Sequence, residues 1–170
     1  MGSGKSTLAR TLLRSAPQSN RVLIIDTLNE YDGETTTTLY ELASRLTAPT
    51  FRLAFRPFDM NEIDYAYGLA LNAKNLTILH DEIDLVCSAG YTPKHLSNMI
   101  RRGRHYKIDL IACTRRPSEI SRLLSSQAGV IYAFKVSEPR DLEYFTKMCG
   151  QDRANKIQHL PLHGYLRIEG

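Results

Sequence analysis

The chain has 170 residues, 42% of them hydrophobic and 24% charged, which fits one globular domain with a sizeable core and excludes a disordered or fibrous chain. No apolar run approaches the ~20 residues of a membrane-spanning helix, and a net charge of +4 permits a polyanionic partner without requiring one. Cys87, Cys113 and Cys149 are widely spaced and lack metal-ligand spacing, so they read as free thiols of a reducing compartment, the cytoplasm.

In chain order, residues 2–7 read Gly-Ser-Gly-Lys-Ser-Thr. They carry the second half of G-x-x-x-x-G-K-[ST], the phosphate-binding loop, whose first glycine would fall before Met1. Such a loop follows a buried strand, so the expectation is a domain lacking its first strand. Residues 6–13 continue as a helix with Leu8, Leu12 and Leu13 on its apolar side, and residues 16–20 break it. The apolar run RVLII at 21–25 reads as a buried parallel strand ending in Asp26. Residues 29–38, with four consecutive threonines, read as a loop. A helix is expected at 39–46, a strand at 51–55 and a helix at 60–73 capped by Asp59.

A strand at 76–79 runs into His80, Asp81 and Glu82. Residues 93–107 read as one basic helix, with Thr92 as N-cap and Pro93 at the first helical position. A strand at 108–113 leads into Thr114-Arg115-Arg116-Pro117, then come a helix at 118–126 and a strand at 130–136. A helix at 139–148, stopped by Gly150, a short helix at 152–158 and a strand at 165–168 finish the chain. Apolar strands alternating with helices predict an α/β fold of three layers, a mainly parallel sheet covered on both faces. Residues 1–170 form one domain on this reading.

The chemistry-bearing residues follow from that order. In the 2–7 loop, backbone amides of Gly2, Ser3 and Gly4 and the start of the following helix suit phosphate oxygens. Lys5 reaches the β- and γ-phosphates of ATP, the Ser6 hydroxyl holds Mg²⁺, and Thr7 lies beside the phosphates. Asp81, at the end of an apolar strand, takes the second Mg²⁺-holding position, and Glu82 polarises the attacking water. His80 stands where an apolar residue is usual. Arg101 and Arg104 share a helix face; Arg104 is the preferred arginine finger toward a neighbouring subunit's ATP. Thr114 or Arg115 is the polar residue placed to touch the γ-phosphate. The bland alternative for Lys94, Arg101, Arg102 and Lys107 is a solvated basic surface.

The stretch from Gly103 through Phe145 resembles the HerA/FtsK superfamily of DNA-pumping P-loop ATPases, of RecA/ASCE type, and within it the HerA-like and viral genome-packaging branch. The family's G-R-x-x-G-[IV] segment is matched by Gly103-Arg104-His105-Tyr106-Lys107-Ile108. Its [ST]-Q-R-P-S-[ED] is matched by Thr114-Arg115-Arg116-Pro117-Ser118-Glu119, and its x-x-P-x-D by residues 137–141. Asp26, Glu30 and Tyr31 are similar to the segment after its second strand. The chain departs from the pattern at Arg115, which replaces a glutamine, and at Lys107, which replaces a glycine. The resemblance implies a hexameric ring, ATP at subunit junctions, double-stranded DNA through the centre and Arg104 acting in trans. It also implies a first strand in mid-sheet, between the strands at 108–113 and 130–136. Candidate DNA contacts are residues 87–91, Arg56 and the threonine loop. Alternatives are a phage assembly ATPase of the zonula-occludens-toxin type, a small-molecule kinase, which the Asp81-Glu82 pair disfavours, and an ATP-binding fragment without turnover.

Overall fold

The computed structural model describes residues 3–170. Helix α1 (Lys5–Ser15) opens it. Strand β1 (Arg21–Ile25) has only hydrophobic residues after Arg21, and Val22 to Ile25 are all fully buried. This is the signature of a strand covered on both faces. It pairs in parallel with β3 (Phe51–Phe55) on one side and β4 (Leu76–His80) on the other. Strand β5 (Ile108–Ala112) extends the sheet beyond β4. Strand β2 (Glu34–Thr36) extends it beyond β3, giving the order β2-β3-β1-β4-β5, all parallel. Residues 34–36 are therefore a short edge strand and not the loop their composition suggests.

Side-chain alternation sorts the two faces. Leu23, Ile25, Leu53, Phe55, Leu76 and Ile78 pack against α2 (Leu39–Arg45), α3 (Glu62–Ala73) and α4 (Lys94–Arg102). Val22, Ile24 and Leu79 pack with Ala9 and Leu13 of α1 on the other face. Arg21 ties the carboxyl ends of two of these helices together. Its guanidinium lies over the Phe51 ring and donates to the carbonyls of Leu46 and Ala73, acceptors left unpaired at helix ends, and to that of Ala48 in the turn after α2.

The chain from β6 onward forms a second, smaller core. Strand β6 (Val130–Phe134) pairs antiparallel with β7 (Tyr165–Glu169), forming a separate two-stranded sheet. Ala133 and Ile168 pack against Phe145 of α6 (Pro139–Cys149) and against Ala154 and Ile157 of α7 (Gln151–Gln158). Among the described residues β5 and β6 do not pair, so the strands fall into two sheets.

Several helix boundaries differ from the sequence reading. The basic helix 93–107 is α4 followed by a 3₁₀ turn over Gly103–Tyr106. Its N-cap residue is Pro93, and Thr92 makes no capping bond; the amides of His95 and Leu96 are instead taken by the Asp64 carboxylate of α3, at 2.9 Å each. Helix α3 starts at Glu62, two residues after the expected position, and Asp59 accepts from the Asn61 amide outside it. Residues 118–126 divide into a 3₁₀ turn (Pro117–Glu119) and α5 (Arg122–Ser126), which Ser121 caps.

Candidate active site

Parallel strands send the residue after each strand to the same edge of the sheet, where ligand sites of such folds lie. Here Asp26, Arg56, Asp81 and Cys113 follow β1, β3, β4 and β5. Alternation turns Asp26 and Asp81 to the α1 face, where Cys113 also packs. The same alternation sends His80 to the opposite face. There it is fully buried and shares a 2.6 Å hydrogen bond between Nδ1 and the Tyr67 hydroxyl of α3. Burial pushes its pKa down to about 3, so it is a neutral core residue outside the site.

At the start of α1, Gly4 has φ +93°, a left-handed conformation that glycine adopts without strain. A Cβ there would stand 3.3 Å from His163 Nδ1 and 3.4 Å from Phe134 Cε1. The first turn of α1 then presents the backbone amides of Lys5, Ser6 and Thr7, donors with no intrahelical partner. Lys5 Nζ donates to Ser3 Oγ at 2.8 Å, and the Ser6 hydroxyl donates to Asp81 Oδ2 at 3.1 Å. These residues line a cavity of about 240 Å³ together with Glu30, Asp81, Glu82, Thr114, Arg115 and His163. That is below the ~300 Å³ at which whole-ligand pockets begin, so it suits a phosphate tail better than an entire nucleotide. Gly2 lies outside the described residues.

Asp81 is the most heavily bonded carboxylate of the cavity. Besides Ser6, the Tyr31 hydroxyl donates to its Oδ2 at 2.6 Å, and the Glu82 amide donates to its Oδ1 at 3.1 Å. Glu82 has φ +58°, a left-handed conformation costing a non-glycine residue about 1–3 kcal/mol and commonest at functional sites. Burial raises its carboxyl pKa, and the charge of Arg115 opposes the rise. Arg115 Nε stands 3.2 Å from Glu82 Oε1. Thr114 Oγ1 accepts from the Arg116 amide at 3.1 Å. Cys113 is nearly buried beside Asp81, and burial pushes its thiol up to about 12, where it is inert as a nucleophile.

The structure thus brings together Ser3, Gly4, Lys5, Ser6, Thr7, Asp81, Glu82, Thr114 and Arg115. Arg104 is not among them. It is exposed, in the 3₁₀ turn preceding β5, while the cavity lies past the strands' carboxyl ends. The five residues of β5 separate the two by on the order of 16 Å. Arg56 is not a free cation for DNA. Its guanidinium holds Asp26 Oδ2 at 2.8 and 3.0 Å, the Tyr31 carbonyl at 2.8 Å and Thr35 Oγ1 at 3.0 Å. Glu30, Tyr31 and His163 are site residues that the sequence motifs do not mark; the family-like Asp26/Glu30/Tyr31 segment is the only signal for the first two. A larger depression of about 530 Å³, lined by Leu39, Tyr40, Tyr65, Leu69 and His95 among others, opens beside α2 and α3. It holds no carboxylate or lysine, so the smaller cavity is the candidate site.

A glycine-lysine-serine helix start facing a strand-end Asp-Glu pair, on a parallel sheet with helices on both faces, defines a P-loop nucleotide-triphosphatase fold. The family model described as Helicase HerA, central domain (DUF87) matches residues 2–102. The chain belongs to that family. Among solved structures, it is similar to the genome packaging NTPase B204 from Sulfolobus turreted icosahedral virus 2 in complex with AMPPCP. The TM-score is 0.83 at 19% identity, covering 98% of this chain and 87% of that one. The same protein in complex with ATP-gammaS gives 0.82 at 20% identity over 98% and 86%. B204 from Sulfolobus turreted icosahedral virus, described as the DNA-packaging ATPase, gives 0.77 at 19% over 98% and 87%. No curated protein matches the chain by sequence.

Proposed function

We propose that this chain is an ATP-hydrolysing motor that moves double-stranded DNA, in packaging, transfer or processing. The observation that carries it is the convergence of Lys5, Ser6, Asp81 and Glu82 on one cavity of a HerA-family domain. Lys5 and the first amides of α1 bind the β- and γ-phosphates. Ser6 Oγ and the Asp81 carboxylate offer oxygen ligands suited to Mg²⁺, which keeps several waters and shares its shell with phosphates. When bound, the ion neutralises charge on the β- and γ-oxygens. Glu82 accepts a proton from water as the water oxygen bonds to the γ-phosphorus and the bridging β–γ bond breaks, releasing ADP and phosphate. Thr114 and Arg115 contact the γ-phosphate. A γ-phosphate that draws Arg115 away from Glu82 leaves that carboxylate available as a base.

The similarity to packaging ATPases supports DNA as the partner, and the exposed Lys94, Arg101, Arg102 and Lys107 supply positive charge for its backbone. A hexameric ring in the cytoplasm completes the proposal. Among the described residues no helix is long and apolar enough to cross a membrane.

The test is steady-state ATP hydrolysis by the purified protein with and without duplex DNA across a salt series. Duplex DNA is expected to raise the rate, less so as salt rises. Glu82→Gln is expected to lower kcat by about 10²–10⁴ while nucleotide affinity holds. A DNA-independent rate that Glu82→Gln leaves intact would overturn the motor mechanism. Binding without any turnover by the unaltered chain would favour the non-hydrolysing alternative.

A further inference from the structure

We infer that Tyr31 is a positioning residue for Asp81: its hydroxyl fixes which oxygen of that carboxylate stays available to the metal ion. The inference rests on the reading of Asp81 as the metal-holding carboxylate.

Tyr31 is only 4% exposed, and its ring packs into the α1-side core. Its backbone is clamped on both sides. The amide donates to Asp26 Oδ2 at 3.2 Å, and the carbonyl accepts from Arg56 Nη2 at 2.8 Å. The preceding residue is held too, since the Glu30 amide donates to Asp26 Oδ1 at 2.8 Å and its carbonyl accepts from Arg10 Nη2 at 3.0 Å. The Arg10 guanidinium covers the Tyr31 ring, 4.8 Å from its centroid. With ring and backbone both fixed, the hydroxyl is placed by the fold and not by Asp81 alone.

A carboxylate has about four acceptor positions, two per oxygen. The Tyr31 and Ser6 hydroxyls occupy both on Oδ2, and the Glu82 amide occupies one on Oδ1. Oδ1 thus carries fewer of these bonds than Oδ2 and is the oxygen left more open to the ion. Without the Tyr31 hydroxyl, Oδ2 regains an open position, only the 3.1 Å bonds from Ser6 and the Glu82 amide resist turning about χ2, and the ion meets a mixture of orientations. Pre-organised ligands of this kind bind metal more tightly, and partners one bond removed from the ion commonly matter about 10–100-fold.

Tyr31→Phe keeps the ring under Arg10 and removes only the hydroxyl. The readout is the affinity of a fluorescent ATP analogue, measured with Mg²⁺ and in excess EDTA; no turnover is needed. In the unaltered protein Mg²⁺ tightens binding. In Tyr31→Phe that tightening is expected to fall about tenfold, with affinity in EDTA unchanged, a split that a general loosening of the loop would not produce. Asp81→Asn is measured in parallel and is expected to lose the tightening as well. If Asp81→Asn loses it and Tyr31→Phe retains it in full, the Tyr31 role is wrong and the Asp81 reading stands. If Asp81→Asn retains it, the reading of Asp81 fails and takes the Tyr31 role with it.

Discussion

At the scale of single residues, neighbours in sequence have opposite roles because a strand alternates its side chains. His80 and Asp81 are adjacent, yet one is buried against α3 and the other lines the candidate site. His80 makes the consequence measurable. Its folded pKa is lowered by burial to about 3, against an ordinary 6.5. Below 6.5 the unfolded chain binds a proton that the folded chain refuses. Its contribution is therefore complete above that value and is lost as pH falls toward 3, at up to roughly 1.4 kcal/mol per pH unit. His80→Gln can still bond the Tyr67 hydroxyl and does not titrate. Urea unfolding of both proteins at pH 7.5 and 5.5 should show the unaltered chain losing on the order of 1 kcal/mol more than His80→Gln. Equal losses would show that His80 is not held neutral.

At the scale of elements, the helix carrying the basic surface is started by another helix. Asp64 of α3 accepts from the amides of His95 and Leu96 in the first turn of α4, doing the work that sequence assigns to Thr92. Asp64→Ala should cost about 1–2 kcal/mol, as lost caps do, and lower Tm by about 2–8 °C for a chain of this length, read by circular dichroism. Thr92→Ala should leave Tm within about 1 °C, as surface changes away from caps do; the reverse pattern would restore the local cap. The reason sequence misplaces the cap is that capping residues are sought within a few positions, and Asp64 lies 31 residues before His95. Strand β2 is hidden for a related reason: three polar residues show no alternation, and only pairing with β3 makes them a strand. The glycine-lysine-serine helix start, the strand-end placement of Asp81 and Glu82 and the buried strands were legible because each is local. The Tyr31–Asp81 and Arg115–Glu82 contacts were not, since loops distant in sequence make them. Lys107, noted as replacing a glycine, has φ +56°, the conformation for which glycine is best suited. The family-like segments at 114–119 and 137–141 meet in space: Ser118 donates to buried Asp141 at 2.6 Å through its hydroxyl and 3.0 Å through its amide. Arg116 adds ion pairs to Glu138 and Asp141 at 3.2 Å each.

At the scale of the whole molecule, the position of Arg104 decides whether one copy is a complete machine. The cavity lies past the carboxyl ends of the strands, and Arg104 is exposed before the amino end of β5. No side chain spans the on-the-order-of 16 Å between them, so an Arg104 finger serves only another copy's ATP. In the proposed ring, head-to-tail packing would provide that geometry, each interface pairing one copy's cavity with the next copy's opposite face. Arg104→Ala alone should then lower hydrolysis by about 10³–10⁵ while sparing nucleotide binding. Lys5→Ala alone should be inactive through its own cavity. Mixed before assembly in equal amounts, the two variants rebuild a complete site wherever an intact cavity from the first meets an intact finger from the second, at about a quarter of the junctions. Activity recovered on mixing, and absent from either variant alone, is the expected result. An unchanged rate in Arg104→Ala, or no recovery in mixed rings whose co-assembly is verified by sizing two differently tagged copies, would remove Arg104 from the finger role.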